Sequence, residues 1–171
     1  DTNEIKKLYG LAVGQQTTYL AMTEGVVVDM NANSVKAIPT NAGMVAGLYL
    51  RDTTKPQMES FSVDMNAGTV TAKFSETIDA LSLVFGSVRL QASRNTATLP
   101  HFTLQKGINL GISSSAQESG HSASTELSFE MTVTDLNKLK FWTTMYVDNT
   151  TSYLSIAADG VADMAGNGLE A

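Results

Sequence analysis

The sequence predicts an all-β protein, an antiparallel β-sandwich with one short helix ahead of its last strands. Three observations carry this. Apolar and polar residues alternate over most of the chain, as in Phe61-Ser62-Val63-Asp64-Met65 and Val70-Thr71-Ala72-Lys73-Phe74, the mark of half-buried strands. The alternating segments are short and separated by turn residues, which points to antiparallel neighbours and away from βαβ units. The chain also repeats itself: Asp1 to Ala37 aligns without a gap on Asp135 to Ala171 at a constant shift of 134.

The repeat keeps Asp1/Asp135, Asn3/Asn137, Lys6/Lys140, Thr17/Thr151, Tyr19/Tyr153, Leu20/Leu154, Val27/Val161, Asp29/Asp163, Met30/Met164 and Asn33/Asn167 identical. Swaps such as Ile5/Leu139, Met22/Ile156 and Val35/Leu169 keep apolar positions apolar. The expected organisation is the C-terminal part of one repeat plus linker over 1–51, followed by a complete repeat over 52–171. This is the organisation a stretch of a tandem array would have.

Taken in order, Thr2 to Leu8 is the first copy of the helix, and Ile38 to Leu50 joins one repeat to the next. Pro56 forces its predecessor extended and donates nothing to a ladder, so the boundary falls at Asp52 to Pro56. Residues 58–75 read as a hairpin around Asn66-Ala67-Gly68. Further strands are expected at Leu81–Phe85, Val88–Ala92, Ala97–Leu104, Ile108–Ile112, Leu127–Val133, Tyr153–Ala157 and Val161–Ala162. Ser113 to Thr125 has too little apolar content for a core and reads as an exposed loop. Asp135 to Trp142 is the second copy of the helix, with Thr134 as its cap.

Composition narrows the function classes. The 171 residues include no cysteine, which removes disulfides, thiolate metal sites and a cysteine nucleophile. Eleven basic residues against 17 acidic give −6 with no Lys/Arg cluster, so nucleic acid is not an expected partner. No apolar run is long enough to insert in a membrane. The only histidines are His101 and His121, both expected on the surface; no G-x-S-x-G elbow or phosphate-binding glycine loop is present, and no enzyme is expected.

Two stretches carry a resemblance. Asp52-Thr53-Thr54-Lys55-Pro56 followed by Phe74-Ser75-Glu76-Thr77-Ile78-Asp79 resembles the opening of bacterial Ig-like repeats of the S-layer and large-adhesin type, with a D-T-T-x-P linker and a strand ending in F-S-E-x-V-D. Thr151-Ser152-Tyr153-Leu154 through Gly160-Val161-Ala162-Asp163-Met164-Ala165-Gly166-Asn167-Gly168-Leu169 is similar to the family's close, T-Y-x-(apolar)…G-V-x-D-x-A-G-N-x-L. The resemblance implies an Ig-like sandwich module at the cell surface or otherwise extracellular, working in adhesion, spacing or filament building without catalysis. The expected partners are neighbouring repeats or identical subunits in an array or filament, since residues 1–50 lack the opening strands of their repeat and either could supply them. The first copy departs at Ala32, where the motif has glycine; a positive φ there would strain alanine and predicts a turn of different geometry.

Asp52, Glu76, Asp79, Asp163 and Asn167 can be read two ways. As a cluster of oxygens at one end of the sandwich they suit an interdomain calcium ion. In the other reading the close is a turn, in which Asp163 caps backbone amides and Gly166-Asn167 supplies left-handed positions. The turn is preferred for Asp163, since the spacing is not that of an EF-hand loop, whereas Glu76 at a strand end fits a turn less well. Asn149-Thr150-Thr151 is an N-glycosylation sequon, meaningful in a protein secreted by a eukaryote. The alternative function is a ligand-binding module, for carbohydrate or protein, presented by Arg94 to Leu99 and Ser113 to Thr125; these loops lack the aromatics a sugar platform needs. An appendage of a hydrolase is a third option.

Overall fold

The computed structural model describes residues 2–95, 100–112 and 120–170. The expected start of the strand at 97–104, most of the loop at 94–99, and 113–119 of the serine-rich loop lie outside the described residues. The chain divides into two compact units: Asp1–Tyr9 with Thr53–Ala171, and Gly10–Asp52.

The larger unit is an all-β, sandwich-like fold with antiparallel pairing throughout. Its elements are α1 (Thr2–Lys6), β3 (Met58–Asp64), β4 (Thr69–Asp79), β5 (Val88–Gln91), β6 (His101–Thr103), β7 (Gly107–Asn109), β8 (Ala123–Met131), α2 (Val133–Phe141), β9 (Tyr153–Ile156) and β10 (Ala162–Asp163). One sheet has the order β10-β4-β8-β7, with β3 also pairing with β4; the other has the order β6-β5-β9. The β3–β4 hairpin forms as expected. Asp64 turns it by accepting the amides of Asn66 and Ala67 at 2.7 and 3.2 Å, and Gly68 follows with φ +76°. A side chain at Gly68 would also meet Leu136, so glycine suits the site twice over.

Alternation along β4 sends Val70, Ala72 and Phe74 into the core and Thr71, Lys73 and Ser75 outward. Val88, Leu90 and Leu154 enter the same core from the second sheet, and Leu136 and Leu139 from α2. Fully burying side chains of this size contributes about 1.5–3 kcal/mol each, the main term holding the fold. Beyond Ser75 the alternation stops, and Glu76, Thr77, Ile78 and Asp79 are all buried. Both faces of the strand are covered at that end.

Four local expectations are corrected. Leu81–Phe85 is not a strand: Asp79 accepts the Leu81 amide and caps a 3₁₀ turn at Ala80–Ser82, and a second such turn follows at Phe85–Ser87. Residues 123–125 are not loop but the start of β8, with Ala123 and Ser124 opposite Asp79 and Ile78. The helix α2 begins two residues early because the Thr132 hydroxyl, not that of Thr134, accepts the Asp135 amide at 3.1 Å. Val133 accordingly belongs to α2 and not to the preceding strand.

The smaller unit contains β1 (Tyr19–Leu20) and β2 (Met44–Val45), paired antiparallel, with single bridges Met22–Ile38 and Val28–Ser34 and 3₁₀ turns at Gln15–Thr17 and Thr40–Ala42. The Tyr49 hydroxyl donates to Ala12 O at 2.8 Å, and Gln15 Nε2 to Ala46 O at 2.9 Å. None of its residues is buried. Among the described residues of the whole chain, no helix is long and apolar enough to cross a membrane.

Candidate functional site

Polar groups concentrate at the end of the larger unit where β4 finishes. The register places them: β10 pairs with β4 so that Asp163 stands opposite Ile78 and Ala162 opposite Asp79. Asp163 Oδ1 accepts the amides of Ala165 and Asn167 at 2.9 and 2.7 Å, and Oδ2 accepts from Asn167 Nδ2 at 2.8 Å. This is the turn expected from the motif, with Gly166 at φ +86° in the left-handed region. The positive φ falls on Gly166 alone, without Asn167.

Asp79 is engaged differently. Its Oδ1 accepts the amides of Leu81 and Ser122 at 3.1 and 2.8 Å, and its Oδ2 pairs with His121 Nδ1 at 2.7 Å. His121 is therefore half-buried and structurally engaged, not a free surface residue, and Tyr9 stacks on its ring with centroids 4.3 Å apart. His101 is exposed on β6.

Glu76 is 6 % exposed. Lys6 of α1 pairs with its Oε2, while Oε1 is buried with no hydrogen-bond partner. Oxygens of Glu76 and Asp163 come within 4.8 Å of each other. At an effective dielectric of about 20, two unit charges at that separation repel by roughly 3 kcal/mol, which nearby positive charge offsets. Lys6 provides one such charge. Beside it Asn3 accepts from Thr77, which is fully buried and donates its amide to Asn3 Oδ1 at 3.3 Å and its hydroxyl to Asn3 O at 3.2 Å.

Asp52 is half-buried and closes the smaller unit. Pro56 is buried, and its carbonyl accepts the Glu170 amide at 2.9 Å, which ties the entry of the sandwich to its last residues. Asn149 is exposed, in the turn that Asp148 organises by accepting from Thr150 and Thr151. Those hydrogen bonds, that of the Thr150 hydroxyl foremost, hold the Asp148 carboxyl below the usual carboxylate range. A shallow groove of about 770 Å³ runs past this turn along β3, between Phe61, Val63 and Tyr146. Its two carboxylates, Asp64 and Asp148, are already spent on backbone amides.

Lys6, Asn3, Tyr9 and His121 were not among the residues the sequence singled out for this end. The signal for two of them was in the repeat: Asn3 and Lys6 are identical to Asn137 and Lys140 while their neighbours diverge. Compared with protein-family models, with curated proteins and with solved structures, the chain finds no match in any of the three.

Proposed function

We propose that this chain is a structural or adhesive module of an extracellular tandem-repeat surface protein built from Ig-like sandwiches, and a building unit of a surface filament. The observation supporting this reading is that the repeat recurs in backbone detail and not only in letters. Thr17 and Thr151 each accept two preceding amides through the hydroxyl, at 3.2 and 3.0 Å in the first copy and 3.1 and 3.1 Å in the second. Asp29 and Asp163 make the same three side-chain bonds, and the bridge Val28–Ser34 has its counterpart in Ala162–Gly168. Units that repeat at this level and stack with their neighbours give length and reach.

Calcium belongs to this proposal. Glu76 Oε1, buried and without a hydrogen-bond partner beside the Asp163 carboxylate, is a hard oxygen donor of the kind calcium takes. Bound there, the ion would complete the charge compensation that Lys6 begins and stiffen this end of the module. Sedimentation and mass analysis of the native material, with and without a chelator, tests both parts. A polypeptide far heavier than 18.2 kDa, or a filament of it, is expected, with its melting temperature lowered by chelation. A stable 18.2 kDa monomer would overturn the array, and a chelator-insensitive melt would overturn the calcium.

A further inference from the structure

The two helices of the repeat are used differently, and the difference identifies a docking surface. In α1, Asn3 and Lys6 lie three residues apart on one face and reach Thr77 and Glu76 at the end of β4. Their counterparts in α2, Asn137 and Lys140, are exposed, whereas the core side of α2 is buried through Asp135, Leu136 and Leu139. Packing within the second copy therefore gives no reason for Asn137 and Lys140 to match the first copy. At neighbouring positions Thr2, Glu4 and Lys7 have become Leu136, Lys138 and Phe141.

We propose that the Asn137–Lys140 face of α2 docks the Glu76–Thr77 end of a following sandwich of the same kind, repeating the contact that α1 makes here. The inference rests on the tandem-repeat reading and names the surface through which successive repeats grip one another. The occupant is a further repeat in the same polypeptide. A separate copy of this chain is the wrong partner, because its own Lys6 and Asn3 already fill that end. Charge agrees, since Lys140 would meet a buried carboxylate as Lys6 does. One contact does not recur: Thr143 stands where Tyr9 stacks on His121. The exposed aromatic rings of Phe141 and Trp142, next to Lys140, offer apolar surface in its place.

The test is a chain extended at its C-terminus by a second copy of residues 38–171, which keeps the 134-residue register. Hydrogen exchange is read at the amides of the appended β4. Lys140→Glu is expected to lower protection at the appended Thr77 roughly tenfold, the loss of a charge-assisted hydrogen bond, and Asn137→Ala to lower it less. Combining Lys140→Glu with Glu76→Lys in the appended copy restores protection. In the 171-residue chain Lys140→Glu changes nothing at Thr77, whereas Lys6→Glu does. Unchanged protection of a folded appended copy in Lys140→Glu and in Asn137→Ala overturns the docking surface and leaves the array standing. An appended copy that gains no protection of its β4 overturns the repeat reading together with the inference.

Discussion

Residues 10–37 and 144–171 are two renderings of one sequence pattern, alike in their turns and unlike in their burial. Leu20 is 52 % exposed and Leu154 8 %; Val27 is 59 % exposed and Val161 1 %. Leu11 lies open where Met145 is fully buried. Hydroxyl and carboxylate contacts over four or five residues suffice to set the turns, because donor and acceptor sit close together in the chain. Burial requires partners from far away, and in the second copy β4, β5 and β8 supply them. Local structure and core are thus separable here, and the separation can be tested.

The largest contrast should come from the core. Leu154→Ala is expected to cost about 2–5 kcal/mol in urea unfolding, because it leaves a cavity between two sheets. Leu20→Ala, at the matching exposed position, should stay within about 0.5 kcal/mol. Equal costs would mean that the first copy also buries its apolar face in solution. Next comes the turn carboxylate. Asp163→Ala removes the part-buried carboxylate to which two amides and the Asn167 side chain donate, at a cost of about 1–3 kcal/mol. Asp29→Ala breaks the same bonds in solvent and should alter only local exchange rates near residues 29–33.

A finer probe is the left-handed position. The sequence predicted that Ala32, replacing the motif's glycine, would change the turn; instead Ala32 adopts φ +63° beside Gly166 at +86° and keeps the same hydrogen bonds. Ala32 thus takes the left-handed conformation with the Asp29 contacts intact. Ala32→Gly should therefore stabilise its turn by about 1 kcal/mol and Gly166→Ala weaken its own by a similar amount, both read from exchange of the turn amides. The smallest effect concerns acid. The Asn33 side chain, followed by the backbone amides, holds the Asp29 carboxyl below its ordinary value. Its contribution to the turn is then full above the ordinary carboxylate range and fades as pH falls through the lowered value. An NMR titration following the Asn33 side-chain amide should show its shift moving only in that acidic window.

Much of the sandwich was legible because alternation and turn residues agreed, most plainly from Met58 to Phe74. The misreadings arose where a local rule had two solutions. Leu81 to Phe85 is apolar enough for a strand, but Asp79 one turn earlier diverts the backbone by capping Leu81. Ala123 to Thr125 is polar enough for a loop, but backbone pairing with β4 extends β8 through it, and farther along Ser128 meets Thr71 across the strands at 2.8 Å. Glu76, Asp79 and Asp163 stood out in the sequence as oxygen donors. That Asp79 turns to His121, whereas Glu76 and Asp163 approach each other, depends on register, which residue types alone do not encode.

The helix α1 belongs to the larger unit, yet the chain leaves that unit at Gly10 and re-enters it at Thr53. Holding α1 against β4 therefore closes an excursion of about 40 residues, which for a flexible chain costs roughly 3 kcal/mol in entropy. Order within the excursion lessens that cost. Each turn that forms between Gly10 and Asp52 shortens the flexible part of that excursion and so lowers the entropic cost of holding α1 in place.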